Sequence, residues 1–139
     1  MPRSPRRSRT RKEAEAEGYR SGFELTVANS LIERNASFDY EPKDGKLSYR
    51  IEENHTYLPD FRLGNGVIVE CKGRLTPKDR KKLKLVKDGH PDKDIRLVFQ
   101  YNNKLNPRSK TRYSDWAEKN GFLWAVKDIP QAWLDELQV

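Results

Sequence analysis

The stretch YLPDFRLGNGVIVECKG, Tyr57 to Gly73, decides how the middle of this chain folds. Gly64-Asn65-Gly66 separates two runs with strand character, Tyr57 to Leu63 and Val67 to Lys72, which predicts a short hairpin. Residues i and i+2 of a strand share a face. Val67, Val69 and Cys71 therefore share one side of the second arm, and Ile68, Glu70 and Lys72 share the other. Either the strand surfaces at its C-terminal end, or an acid and an amine are held side by side for chemistry. Asp60 sits on the first arm. Neighbouring strands lie about 4.8 Å apart, so Asp60 and Glu70 converge on one cation if the register agrees.

Outward from this hairpin, the pattern alternates between helix and strand. Residues 15–34 read as a helix, with Phe23, Val27, Leu31 and Ala28, Ile32 at helical spacing and Asn35 as its stop. Residues 36–41 and 46–53 alternate apolar and polar side chains as strands do, on either side of a break at Pro42 and Asp44-Gly45. After the hairpin, Thr76 is placed to cap a helix that starts at Pro77, carries Asp79 in its first turn and closes at Gly89. Residues 95–100 form a buried strand, and a basic loop follows it. Ser114 caps a short helix to Gly121, residues 122–126 make a further strand, and residues 130–137 a final helix. The order predicts an α/β fold, a mixed β-sheet flanked by helices.

At 139 residues the chain suits one domain with a core of its own. No apolar run approaches a membrane span of about 20 residues, and no apolar signal core follows the basic start. A single cysteine excludes an intramolecular disulfide, which suits a reducing cytosol. The charge is uneven. Arg3, Arg6, Arg7, Arg9, Arg11 and Lys12 supply six positive charges without an acid, leaving only one of the chain's net +7 to all later residues. Residues 1–14 are expected to be a disordered basic tail, suited to contacting phosphate backbones, and residues 15–139 a single domain. A nuclear-import signal or a solubility tail has the same composition. Nucleic acid is the favoured partner, because no amphipathic segment accompanies the tail to suggest a membrane.

Hydrolysis of a phosphodiester adds negative charge to phosphate oxygens and needs a hydroxide at neutral pH. A carboxylate-bound Mg²⁺ supplies both, and a lysine beside it orients water or stabilises the developing charge. Asp60, Glu70 and Lys72 fit those needs; a surface salt bridge at a strand end fits the same residues. Glu24 shares a helical face with Ala28 and Leu31, but Ser21-Gly22-Phe23-Glu24 also fits a capping box. Asp39 alternates with Phe38 and Tyr40 and suits a solvated strand position equally well. His55 and His90 are far apart and, with one cysteine, make no zinc pattern; both read as structural. Cys71 faces away from Glu70 and Lys72 and reads as buried and inert, although its backbone carbonyl can still reach a metal.

Taken in order, RSGFE (Arg20–Glu24), FDYE (Phe38–Glu41), NHTYLPDF (Asn54–Phe61) and VECKG (Val69–Gly73) resemble the phage endonuclease I family of Holliday-junction resolvases. That family lies within the wider PD-(D/E)xK, restriction-endonuclease-like fold, and the resemblance spans roughly residues 19–135. It implies that Glu24, Asp39, Asp60, Glu70 and Lys72 are catalytic. Asp60 and Glu70 would bind the metals, with the Cys71 carbonyl and Glu24 as further donors and two Mg²⁺ or Mn²⁺ ions per site. Asp39 stands where the family has a glutamate, one methylene longer. The resemblance also implies a domain-swapped homodimer with composite sites, in which Glu24 and Asp39 of one chain meet Asp60, Glu70 and Lys72 of the other. Residues 43–53 would link the exchanged parts. The implied location is the cytoplasm of a bacterial host.

On this reading the enzyme resolves four-way DNA junctions by paired, symmetric hydrolysis, and binds branched DNA. Arg74, Lys78, Arg80, Lys81, Lys84 and Arg108 join the tail as phosphate contacts; each also fits an ordinary solvated helix or loop position. Two alternatives remain: a repair or restriction-type nuclease acting on duplex DNA, and a nucleic-acid-binding protein without catalysis.

Overall fold

A computed structural model describes residues 18–50 and 54–137. The basic residues Arg3 to Lys12 and positions 51–53 lie outside the described residues. The chain divides into two compact units, one ending at Ala36 and the other beginning at Ser37.

The first unit contains helix α1, Gly22–Glu33. It starts later than the apolar spacing suggests. Ser21 is extended and its side chain accepts from the Glu24 amide at 3.0 Å, which fixes the first turn at Gly22. Phe23, Leu25, Val27, Ala28 and Leu31 are buried, whereas Ile32, expected on the same face, is 56% exposed in the last turn. Asn35 ends the helix as expected, in the left-handed region at φ 53°.

The second unit holds strands β1 Phe38–Tyr40, β2 Leu47–Arg50, β3 Asn54–Tyr57, β4 Phe61–Leu63, β5 Ile68–Lys72, β6 Ile95–Phe99 and β7 Trp124–Val126. Five of them form one mixed sheet in the order β1-β4-β5-β6-β7. The β1–β4 and β4–β5 pairs are antiparallel, and the β5–β6 and β6–β7 pairs are parallel. Strands β2 and β3 pair separately as an antiparallel ribbon. Helix α2, Pro77–Gly89, connects β5 to β6; α3 is Tyr113–Lys119 and α4 is Gln131–Asp135. The predicted mixed sheet with helices is therefore present.

The expected first arm of the hairpin is broken. Tyr57 ends β3, Phe61 begins β4, and Leu58 to Asp60 belong to neither. Pro59 has no amide hydrogen to donate to a ladder, so a continuous strand through it is disfavoured. The turn itself stands: the Leu63 amide donates to Val67 O at 2.8 Å, with Gly66 at φ 91°.

Local chemistry sets the other boundaries. Helix α2 begins as the sequence predicts, with a reciprocal capping box between Thr76 and Asp79. Helix α3 starts at Tyr113 rather than after Ser114, because Ser114 is engaged by Asn102 through both its amide and its hydroxyl. Asp115 accepts instead from the Arg112 amide at 2.8 Å. The last strand starts only at Trp124, since the Phe122 amide closes α3 on Ala117 O. A hydrophobic cluster gathers Ile68, Ile95, Leu97 and Phe99 of the sheet with Leu83 and Val86 of α2 and Tyr113 and Ala117 of α3. That cluster covers the sheet face to which Glu70 belongs. Among the described residues, no helix is long and apolar enough to cross a membrane.

Candidate active site at the end of β5

Phe61 lies opposite Val69, and Arg62 opposite Ile68. One step further along this register brings Asp60 opposite Glu70, the convergence that the hairpin reading requires. Glu70 is no surface carboxylate: it is only 8% exposed, on a face it shares with Ile68 and, across the parallel pair, Leu97. A carboxylate buried among apolar residues needs hydrogen-bond partners to offset its lost hydration. Its Oε1 receives two, the Tyr57 hydroxyl at 3.0 Å and the Asp60 amide at 3.3 Å. Asp60 Oδ2 in turn accepts from the Cys71 amide at 2.8 Å. Burial first, and then the charge of Glu70, push Tyr57 well above the ordinary tyrosine pKa, so its hydroxyl remains a donor at neutral pH.

Lys72 Nζ lies 3.7 Å from Glu70 Oε2 and 3.2 Å from Asp79 Oδ1. Partial burial works against its charge, but Glu70, Asp79 and Asp60 together outweigh that and raise its pKa above the usual lysine value. The ammonium is thus retained at neutral pH beside the buried carboxylate. The cluster sits where the parallel strands β5 and β6 end, the edge at which open α/β sheets place ligand sites.

The structure brings Asp60, Glu70 and Lys72 together. Asp39 is instead held by Arg62, with Arg62 Nη2 at 2.9 Å from Asp39 Oδ2 and at 3.2 Å from Asp44 Oδ2. Glu24 is half-buried in the first turn of α1, within the other unit. Cys71 is buried, as expected, and in no disulfide. Both histidines are engaged structurally: His55 stacks on Tyr49 at 5.1 Å between ring centroids, and His90 Nε2 donates to Ser48 O at 2.6 Å. Arg74, Lys78, Lys81, Lys84 and Arg108 are exposed, whereas Arg80 turns back to donate to Leu75 O at 2.8 Å.

Among the described residues, no group of three or more His, Cys, Asp or Glu side chains forms a ready-made metal cage. The strand end offers a pair of carboxylates, and these are the hard oxygen donors that Mg²⁺ and Mn²⁺ take. Mg²⁺ is commonly bound through one or two carboxylates, with waters and substrate phosphates completing its shell. The residues present therefore fit such an ion. Sequence reading missed Tyr57 as a partner of Glu70 and placed Asp79 only in the first turn of a helix. Nothing in the spacing of Lys72 and Asp79 announces their pairing, which depends on how the loop after β5 returns.

Over 120 residues, 85% of this chain, the sequence is 43% identical to Endonuclease I of Escherichia phage T7, covering 79% of that protein. Over the same share of this chain it is 44% identical to Endodeoxyribonuclease 1 of Enterobacteria phage T3, covering 78% of that protein. The family described as phage endonuclease I matches residues 6–139. With two such relatives and a match spanning nearly its whole length, the chain belongs to the phage endonuclease I family.

Proposed function

We propose that this protein is a divalent-metal-dependent DNA endonuclease that resolves four-way junctions by paired, symmetric phosphodiester hydrolysis. Family membership supports the reading, and one geometric observation carries it. Glu70 has one oxygen fixed by the Tyr57 hydroxyl and the Asp60 amide, and the other beside the Lys72 ammonium. Mg²⁺ or Mn²⁺, two per site, would supply Lewis acidity and a hydroxide at neutral pH when bound. Asp60 and Glu70 would hold the metal, with the Cys71 carbonyl and Glu24 as further donors. The Lys72 ammonium faces the charge that develops on the phosphate oxygens, and it can orient the attacking water. Tyr57 and the Asp60 amide keep the Glu70 carboxylate from rotating.

The active form is a homodimer, because two sites related by a two-fold axis match a substrate that must be nicked twice. In its domain-swapped form, Glu24 and Asp39 of one chain complete the site of the other, and residues 43–53 link the exchanged parts. Exposed cations, Arg74, Lys78, Lys81, Lys84 and Arg108 among them, follow the phosphates of the junction arms, together with the basic residues from Arg3 to Lys12. The cytoplasm of a bacterial host is where such an enzyme meets replicating phage DNA.

The test sets a synthetic four-way junction against a linear duplex of the same sequence, with Mg²⁺ and a Glu70→Ala control. Paired nicks in the junction alone, lost in the control, are the expected result. Cleavage of the duplex at a fixed sequence would make this a repair or restriction-type nuclease. Binding without cleavage in either Mg²⁺ or Mn²⁺ would reduce it to a DNA-binding protein.

A further inference from the structure

Lys72 Nζ is nearer to Asp79 than to Glu70, 3.2 Å against 3.7 Å. Asp79 is itself unusually well fixed. Its Oδ2 accepts from the Thr76 amide at 3.0 Å and from the Thr76 hydroxyl at 2.8 Å, while its own amide donates to Thr76 Oγ1 at 3.1 Å. The acid of a capping box has met its structural role once one oxygen returns to the helix start. Here the other oxygen, Oδ1, is spent on the ammonium of Lys72.

A lysine stem is a flexible four-carbon chain, so an ammonium facing one carboxylate still samples many positions. A second anchor from a different element, set at an angle to the first, restricts it. Helix α2 supplies that anchor from its capped first turn. Burial works against the charge of Asp79, but the Thr76 hydroxyl, the Thr76 amide and Lys72 more than offset it, so the carboxyl stays below its usual pKa and ionised.

We propose that Asp79 is the positioning residue for Lys72: one carboxylate oxygen starts helix α2 and the other holds the ammonium against Glu70. The inference rests on the endonuclease reading for its consequence and on the Lys72–Asp79–Thr76 geometry for its substance. Asp79 acts through Lys72 and touches no reacting atom.

The test uses the full chain with Asp79→Asn. Asparagine keeps an acceptor for Thr76, and thus the helix start, while removing the charge that holds Lys72. The first readout needs no cleavage: NMR of protein carrying isotope-labelled lysine, with the Lys72 signal assigned through Lys72→Arg. Two resolved ε-methylene protons in the parent chain, collapsing to one averaged signal in Asp79→Asn, are expected. The second readout is single-turnover cleavage of a four-way junction with Mg²⁺, beside junction affinity measured in a chelator. The rate should fall by roughly 10–100-fold with affinity unchanged. In a Lys72→Ala background, Asp79→Asn should cost nothing further. Lysine signals that stay resolved in Asp79→Asn would overturn the proposal, as would an unchanged or raised cleavage rate. A parent chain that leaves the junction intact would defeat the endonuclease reading instead, and the lysine signals would still decide whether Asp79 holds Lys72.

Discussion

The hydroxyl of Tyr57 donates to Glu70 Oε1 at 3.0 Å across thirteen residues of sequence, and both side chains are buried. This bond joins the end of the two-stranded ribbon to the centre of the five-stranded sheet. Tyr57→Phe leaves that oxygen with the Asp60 amide alone. A buried charged acceptor that loses a partner costs about 1–3 kcal/mol, and the urea unfolding midpoint should fall accordingly. Junction cleavage should slow as well, because the carboxylate is then free to turn.

The same pair gives a signed pH dependence. Burial, then the charge of Glu70, raise the pKa of Tyr57 in the folded chain. Above the ordinary tyrosine pKa of 10.0 the unfolded chain releases this proton first, so it binds fewer protons than the folded chain and stability falls as pH rises. The stability advantage of the parent chain over Tyr57→Phe should therefore be whole below that pH. It should shrink as pH climbs toward the folded value. Paired urea titrations from pH 8 upward to about 11 read the difference; parallel curves would contradict it.

Asp39 offers a separation of stability from activity. Its pair with Arg62 is largely exposed on the Asp39 side, and Arg62 keeps Asp44 when Asp39 is removed. Exposed pairs contribute about 0–1 kcal/mol, so Asp39→Asn should leave the thermal midpoint nearly unchanged. If Asp39 completes a site in the dimer, its cleavage rate should nonetheless drop. Asp39→Glu compared with the parent in Mg²⁺ and in Mn²⁺ then reports on geometry, and a rate unchanged from the parent in both metals would remove any geometric role.

Salt should expose the phosphate contacts. The logarithm of the junction binding constant should fall with that of salt by about 0.9 for each neutralised phosphate. Replacing the exposed Arg74, Lys78 and Lys81 by glutamine should flatten this slope. Arg80→Gln should act differently, through the Leu75 carbonyl it holds. Affinity that is flat between low and moderate salt would remove the electrostatic account.

Cys71 is the chain's single cysteine, 8% exposed, with its amide committed to Asp60. A thiol reagent should label it at the rate of global or local opening, and fully in denaturant. Rapid labelling of the native chain would show β5 to be looser than its two covered faces suggest.

Where the sequence carried its own physics, it was readable. The Gly64-Asn65-Gly66 turn, the Thr76 cap with Pro77 behind it and the Asn35 stop depend on a few adjacent residues, and each stands as read. The alternation of β5 also placed Glu70 and Lys72 on one face and Cys71 on the other. Register is a longer-range property, but the tight turn fixes it, which is why Asp60 could be matched with Glu70. The partners supplied by other elements were not legible. Asp39 alternates like an exposed strand residue, and nothing in FDYE points to Arg62. Tyr57 reads as one more strand aromatic until the break after it turns it toward Glu70. The start of α3 was misplaced because the residue that engages Ser114, Asn102, lies twelve positions upstream.

The interruption at Pro59 has a consequence for the order in which this protein becomes an enzyme. Because Tyr57 ends the ribbon and Asp60 immediately precedes β4 of the main sheet, yet both donate to the same Glu70 oxygen, that carboxylate has both donors only once ribbon and sheet have come together. A chain whose ribbon has not yet formed lacks the Tyr57 donor to Glu70. For a DNA endonuclease the consequence is one of timing: the fully held carboxylate arrives with the finished fold and not before.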